Sequence, residues 1–311
     1  MKTAFFGSGA FALASLQALL EAGIRPVLVV TQPPRRRRRR GEPEPTLVHA
    51  TAEQAGLPVA APPKVNTPES LERLRAAEAD LFLVAEYGQI LSRALLAIPA
   101  RGTLNVHGSI LPRWRGATPV TAAILAGDAE TGVTIQRTVF ELDAGPMLAT
   151  RRVAIGARET KGQLFHRLAA LGGEMLVEVV SRIAASDPPD EVEQDAAQAT
   201  YCRRLKSDDT WIDWTRTAVE LERMVRALQP RPGARAVIER QPSLAIEVRS
   251  AAVAQGEAEP GEIAAVAPDG IDVGTGGGLL RITELKPAGR KFMDARSFLN
   301  GYRVEKGERF R

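Results

Sequence analysis

The stretch GTLNVHGSILPRWRG, Gly102 to Gly116, concentrates residue types that do chemistry. Read as a strand, TLNVH alternates with a period of two, which puts Asn105 and His107 on one face and Leu104 and Val106 on the other. Gly108 breaks the strand, so the polar pair stands at its carboxyl end. An amide donor beside an imidazole suits group transfer through a tetrahedral intermediate, the Asn stabilising an oxyanion while the His orients or exchanges protons. The same histidine equally fits a core position with its ring satisfied by a neighbour. A carboxylate completes the set if the loop FELDAGPM returns to the same edge and brings Asp143 near His107. Taken alone, Asp143 also reads as a turn residue bonding its own backbone, since Gly145 and Pro146 make that loop sharp.

The elements that must position these residues alternate along the first half of the chain. TAFF, VLVV, LPVA, LFLVA and TLNVH read as strands; Phe11 to Ala22, Leu47 to Ala55, Ser70 to Ala77 and a short turn near Ser92 to Ala97 read as the helices between them. Strands separated by helices predict an α/β fold, a doubly wound and mostly parallel Rossmann-like sheet covered on both faces. Such sheets hold ligands at the carboxyl ends of their strands. GVTIQRTVF and GPMLATRRVAI read as two further strands flanking ELDAG, and an amphipathic helix runs from Thr160 to about Ala185. The polar, proline-bearing segment that follows reads as a connector, and the boundary is set near residue 206. Residues 1–206 form one domain on this reading. Residues 207–311 form the other, with a helix TAVELERMVRAL and then short β segments that suit a small barrel or sandwich.

Composition narrows the class. The chain has 311 residues, 44% hydrophobic and 25% charged, which is that of a globular protein long enough for two ordinary domains. One cysteine, Cys202, leaves no intrachain disulfide and makes a reducing cytoplasm the expected setting. His49, His107 and His166 show no ligand spacing, so no metal is expected. The opening MKTAFFGSGAFALASLQALL has the Lys and apolar run of a signal peptide, but Gly7, Gly9 and helical spacing favour a βαβ start, and no apolar run is long enough to span a bilayer. The net charge of +4 is uneven: the run Arg35 to Arg40 contributes +6, Arg281 to Arg311 holds nine Lys or Arg against four Asp or Glu, and the remainder stands at −7. Two basic patches on a mildly acidic body point to a polyanionic partner bound in two places.

NVHGSILPRWRGATP together with GDAETGVTIQRTVFELDAGPML resembles the formyltransferases that use 10-formyltetrahydrofolate, and within them the methionyl-tRNA formyltransferases. VAEYGQIL, RLKSDDTWIDW, VRALQPRPGA and LKPAGRKFMDARSFLNGYR extend the resemblance over nearly the whole chain. It implies a catalytic trio of Asn105, His107 and Asp143, and folate contacts at Ser109, Ile110, Leu111 and Pro112, with Tyr87 and Gly88 of VAEYGQIL on an apolar wall for the pterin. It implies 10-formyltetrahydrofolate as co-substrate without a metal, and as acceptor the methionine amino group of initiator methionyl-tRNA. It further implies an OB-like second domain that binds tRNA, and a monomer acting in the cytoplasm. The loop after the second strand is where such enzymes reach the acceptor arm, so Arg35, Arg36, Arg37, Arg38, Arg39 and Arg40 would meet phosphates, with Arg113 and Arg115 assisting at the terminal nucleotides. The run departs from the family in being pure arginine followed by GEPEP, and GSGAFA replaces the usual Gly-Thr-Pro-like turn.

Three rival readings remain. GSGAFA fits G-x-G-x-x-A after a strand, and arginines after the second strand would meet a 2′-phosphate, as in an NADP-dependent dehydrogenase. A formyltransferase acting on an amino sugar nucleotide would share the Asn, His and Asp set. A noncatalytic RNA-binding protein would need both basic patches and leave that set without a purpose.

Overall fold

The structure, a computed structural model, describes residues 1–36 and 42–311. The first half builds β1 (Thr3–Gly7), α1 (Ala10–Glu21), β2 (Leu28–Val30), β3 (Arg35–Arg36), β4 (Pro43–Glu44), α2 (Leu47–Gln54), β5 (Val59–Ala60), α3 (Pro68–Ala76), β6 (Leu81–Ala85), α4 (Arg93–Leu96) and β7 (Thr103–His107). Then come β8 (Arg115–Gly116), α5 (Pro119–Ala126), β9 (Glu130–Arg137), β10 (Met147–Ala154), α6 (Lys161–Ala184) and β11 (Tyr201–Cys202). The chain divides into two compact units, one of residues 1–119, 130–154 and 165–202, the other of 120–129, 155–164 and 203–311.

The first unit carries a seven-stranded sheet in the order β10-β9-β7-β6-β1-β2-β5. Strands β7, β6, β1, β2 and β5 are mutually parallel, whereas β9 runs antiparallel to both β7 and β10. Every residue of β1 and β6 is buried, as expected of central parallel strands covered on both faces. Phe6, Phe82 and Val84 meet Leu74 and Leu95 in the core on one side of the sheet. On α6, a Cβ at Gly172 would press into Val106 and Phe11, and one at Gly173 into Ala18, so the two glycines let that helix lie close to α1 and to the strand that ends in His107.

The connector expected after α6 is more than a linker. Val192 exchanges backbone hydrogen bonds with Met147 at 2.8 and 2.9 Å, and Tyr201–Cys202 pairs in parallel with Arg115–Gly116. The segment is therefore a strap laid along the functional edge of the sheet. Its weak periodicity conceals this, because each anchor lies far away in sequence.

The second unit continues with α7 (Ala218–Ala227), β12 (Ala234–Ile238), β13 (Leu244–Ala254), β14 (Ile263–Ala267), β15 (Gly270–Gly274), β16 (Leu279–Pro287), β17 (Met293–Asp294) and α8 (Ala295–Tyr302). Its sheet is antiparallel, ordered β12-β13-β16-β15-β14, with β17 added to β16. The last residues close the ring: Arg311 exchanges two backbone hydrogen bonds with Val237 on β12, while Phe310 N–H donates to Gly261 at 2.7 Å and Ile263 N–H to Glu308 at 2.9 Å beside β14. Closure removes the free edges that a small sheet would otherwise expose. Register shifts in β13 between Val248 and Ala251 supply the bend that closure needs. Helix α8 falls where the sequence shows only a basic tail; its apolar positions Ala295, Phe298 and Tyr302 face inward, with the last two rings stacked at 4.8 Å, and Asp294 caps its start by accepting from Ser297 N–H. Arg281 of that tail is spent internally on Asp272 and Asp269, and Lys286 on Glu247.

Helix α7 begins with a capping box in which Thr217 accepts from Glu220 N–H and Glu220 accepts from Thr217 N–H. A hydrogen bond from Arg216, then those from Thr217, bring the Glu220 carboxyl down from 4.5 to about 2. A carboxyl depressed on folding contributes stability that is complete above its unfolded value and is lost as pH falls through the folded one. The urea midpoint should therefore decline between pH 4.5 and about 2, and decline less in Glu220→Gln. Parallel decline in the two proteins, followed by circular dichroism, would show that this carboxyl contributes nothing.

Candidate active site

Antiparallel pairing of β7 with β9 sets Asn105 opposite Gln136 and His107 opposite Thr134. Since side chains at paired positions project to the same face, Thr134 and Gln136 are delivered beside the His and the Asn. Thr134 and Gln136 are both buried. The Thr134 hydroxyl donates to Ser109 carbonyl at 2.8 Å and accepts from Leu111 N–H at 3.2 Å, which pins the loop after β7. The Ser109 hydroxyl donates to Arg113 carbonyl at 2.6 Å.

Asp143 does return to this edge. Its Oδ1 accepts from Gln136 Nε2 at 3.1 Å and from Asn105 Nδ2 at 3.4 Å; its Oδ2 accepts from Gly116 N–H at 2.8 Å and lies 3.7 Å from His107 Nδ1. His107 is only 5% exposed, and its Nε2 lies 2.9 Å from the Trp114 carbonyl. A carbonyl can only accept, so Nε2 carries a proton and the Nδ1 side faces the carboxylate. The reading of His107 as a core residue satisfied by a neighbour is thus half true: one ring nitrogen is satisfied, and the other is aimed at Asp143. Asp143 (φ +47°), Trp114 (φ +62°) and Glu86 (φ +44°) all hold left-handed backbone around this edge, a strained conformation for such side chains.

The other expected residues fall in different places. Ile110 and Pro112 are half-buried while Ser109 and Leu111 are buried, so the tetrapeptide offers backbone and two apolar side chains. The Tyr87 ring sits in the core edge-on to Phe6 at 5.5 Å, and burial pushes its phenol up. What the 86–90 loop presents is Gly88 (φ +84°) and Ile90, which is 79% exposed. Phe140 and Leu142 are also exposed, and Arg93 of α4 holds their segment, stacking over Phe140 at 4.3 Å and pairing with Glu141 at 3.1 Å. Arg113 is exposed over the Trp114 ring, whereas Arg115 is buried, with its Nε and Nη2 on Gln194 Oε1 at 3.1 and 2.8 Å. Arg35 and Arg36 are exposed and pair with Glu44 and Pro43; Arg37, Arg38, Arg39 and Arg40 lie outside the described residues. Since β2 is parallel to β1, β6 and β7 and three strands away from β7, the arginine loop leaves the same edge about 14 Å along it.

Sequence reasoning missed Gln136, Thr134 and Gln194. The first two carried a signal, polar residues at alternate positions in GVTIQR; Gln194 carried none. Cys202 lies 3.5 Å from the Trp114 and Arg115 carbonyls, and burial pushes its thiol up, which suits packing better than nucleophilic attack. Among the described residues no group of three or more His, Cys, Asp or Glu is arranged to hold a metal, and no helix is long and apolar enough to cross a membrane.

The dinucleotide reading meets a specific obstacle. Such a cofactor places its pyrophosphate on the N-terminus of α1, against the glycines. Here Glu86 fills that position: its Oε2 accepts from Phe11 N–H at 3.0 Å, and a Cβ on Gly9 would overlap the same carboxylate. The helix end already holds an anion supplied by the chain.

Fold and site together define a formyltransferase: residues 1–180 match the Formyl transferase family and 204–303 the Formyl transferase C-terminal domain, and the chain belongs to this family. Among its relatives, the methionyl-tRNA formyltransferase of Halorhodospira halophila is 45% identical over 304 residues, covering 98% of this chain and 97% of that one. The methionyl-tRNA formyltransferase of Symbiobacterium thermophilum is 43% identical over 314 residues, covering 100% and 95%. Among solved structures, the N-formyltransferase from Helicobacter canadensis, in complex with folinic acid and dTDP-3-aminofucose, superposes with a TM-score of 0.66 at 16% identity over 91% of this chain and 98% of that one. HypX from Aquifex aeolicus in complex with tetrahydrofolic acid gives 0.62 at 17% identity, over 96% of this chain and 47% of that one. Likeness at such identity speaks for the fold alone. Because Glu86 occupies the helix end, a fluorescence titration with NADPH should show no saturable binding; saturation at micromolar concentration would overturn that assignment.

Proposed function

We propose that the chain transfers the formyl group of 10-formyltetrahydrofolate to the free amino group of methionine on initiator methionyl-tRNA, the step that prepares that tRNA for translation initiation. The observation that carries this reading is the meeting of Asn105, His107 and Asp143 at the carboxyl edge of the sheet in a chain whose relatives at 39–45% identity are methionyl-tRNA formyltransferases. Residues 1–206 would hold the chemistry and 207–311 would bind tRNA as an OB-like domain. A cytoplasmic monomer completes the reading.

The site fits such a co-substrate. Exposed Ile90, Phe140 and Leu142 would offer a flat pterin apolar surface, and backbone groups of Ser109 to Pro112 and Gly88 would offer it polar partners. The amine nitrogen attacks the formyl carbon, a carbon–nitrogen bond forms, and charge gathers on the formyl oxygen. Asn105 Nδ2 has two hydrogens and gives one to Asp143, so the second serves that oxygen. In this reading a protonated His107, with Asp143 as its counter-ion, stabilises the same charge. Their 3.7 Å separation is too long for a direct hydrogen bond, so Asp143 acts on the ring through its charge. As the tetrahedral species collapses, the bond to N10 of the folate breaks, and the proton lost by the amine ends on that nitrogen. Phosphates near the acceptor end would meet Arg35 to Arg40 and exposed Arg113, contacts that supply affinity rather than base reading.

An amino sugar nucleotide acceptor is the less supported reading, since the sugar formyltransferase named above is only 16% identical. The deciding assay mixes protein, 10-formyltetrahydrofolate and methionyl initiator tRNA and follows formyl-methionyl-tRNA by acid gel. Absence of product with folate binding retained would shift the search to amino sugar nucleotides.

His107→Ala should lose transfer by roughly 10²-fold or more while tRNA affinity changes little. Substantial residual turnover would remove the histidine from the mechanism. Replacing Arg35 to Arg40 by serines should weaken tRNA binding and flatten the plot of log affinity against log salt, at about 0.7 to 0.9 of slope for each phosphate no longer neutralised. An unaltered slope would return the run to the role of a solvated loop.

A further inference from the structure

We infer that Gln194, on the strap after α6, is a positioning residue that aims Asp143 at His107, an inference that rests on the transfer reading above. The side chain reaches the site from 51 residues beyond Asp143 in sequence. Its Nε2, with two hydrogens, faces the Gly145 carbonyl at 2.7 Å, the Asp143 carbonyl at 2.9 Å and Gln136 Oε1 at 3.2 Å, so one hydrogen is shared between two of these acceptors. Its Oε1 takes both Nε and Nη2 of Arg115, whose guanidinium is on a residue only 6% exposed. The orientation of the amide follows from chemistry: guanidinium can only donate and the two carbonyls can only accept, so the oxygen must face Arg115 and the nitrogen must face the loop.

Two consequences follow from this arrangement. First, the peptide group of a residue held at φ +47° is tied down by a partner from outside its own loop, which is what a strained conformation needs in order to persist. Second, Gln136 has its oxygen on Gln194 and its nitrogen on Asp143 Oδ1, so Gln194 also settles which end of Gln136 meets the carboxylate. Arg115, Gln194 and Gln136 thus form a polar brace behind Asp143. Each member is oriented by the one before it, and the last two each hold Asp143, by side chain and by backbone.

A group that acts through Asp143 must lose its influence once Asp143 no longer functions, which separates positioning from a merely structural role. The experiment is a double-mutant cycle of Gln194→Leu with Asp143→Asn in the formyl-transfer assay, with melting temperatures measured on all four proteins. We expect Gln194→Leu alone to lower kcat on the order of 10²-fold, the size of effect that a slight misplacement of a catalytic group produces, with KM for folate and tRNA within about twofold. In the Asp143→Asn background the same substitution should cost less than about threefold. Wild-type kcat in Gln194→Leu, or an equal loss in both backgrounds, would overturn the inference. Should the leucine variant not fold, Gln194→Glu keeps an acceptor on Arg115 and replaces the donors by a carboxylate oxygen that faces the Asp143 and Gly145 carbonyls, so it too should release the loop, and it is judged by the same cycle. Failure of the parent protein to form product would count against the transfer reading itself, and is read separately from the variants.

Discussion

A carboxylate set in a largely enclosed place is the constraint on which the rest of the site depends. The Asp143 side chain is 14% exposed and faces a histidine whose side chain is 6% exposed. Removing such an anion from water costs several kcal/mol unless its oxygens are met by donors. Asn105, Gln136 and Gly116 N–H supply them, each charge-assisted hydrogen bond offsetting about 1.5 to 3 kcal/mol. Those donors come from three separate segments, β7, β9 and β8, so the sheet order and the register between β7 and β9 are requirements of the chemistry as well as of the core.

Around this centre the chain uses its own groups where related folds use ligands. The N-terminus of α1, an anion site in dinucleotide-binding proteins, is closed by Glu86. The last residue of the sheet strand is held by a backbone carbonyl, so the orientation of His107 is independent of any bound molecule. The strap from Val192 to Cys202 is anchored on Met147 and on Arg115–Gly116 beside the site, while Ile90, Phe140 and Leu142 stay exposed. The second unit solves a different problem, that of a small sheet with two edges, by folding its final residues between β12 and β14.

The basic residues of the chain differ in standing once it is folded. Arg281 and Lys286 are neutralised at home, and Arg115 is turned inward, whereas Arg36, Arg290, Lys291 and Arg296 remain exposed. Counting charge along a sequence overstates what a polyanion can reach, because some cations are already spent on carboxylates and amides within the fold.

Much was legible in the sequence alone. Period-two alternation in TLNVH, continuous apolar runs in TAFF and LFLVA and helical spacing between them determine the parallel sheet and put Asn105 and His107 at its edge, because these signals are local. The compound motif carried the family for the same reason. What only the tertiary structure decided are meetings across long separations: Asp143 with Gly116 N–H, Gln194 with Arg115 across 79 residues, and Glu86 with the start of α1 across 75. Helix α8 and barrel closure by Phe310 belong to this group, since a short amphipathic run or a terminal residue takes its conformation from what it packs against. Periodicity reports which face of an element is buried, but only the folded chain decides which distant side chain stands opposite.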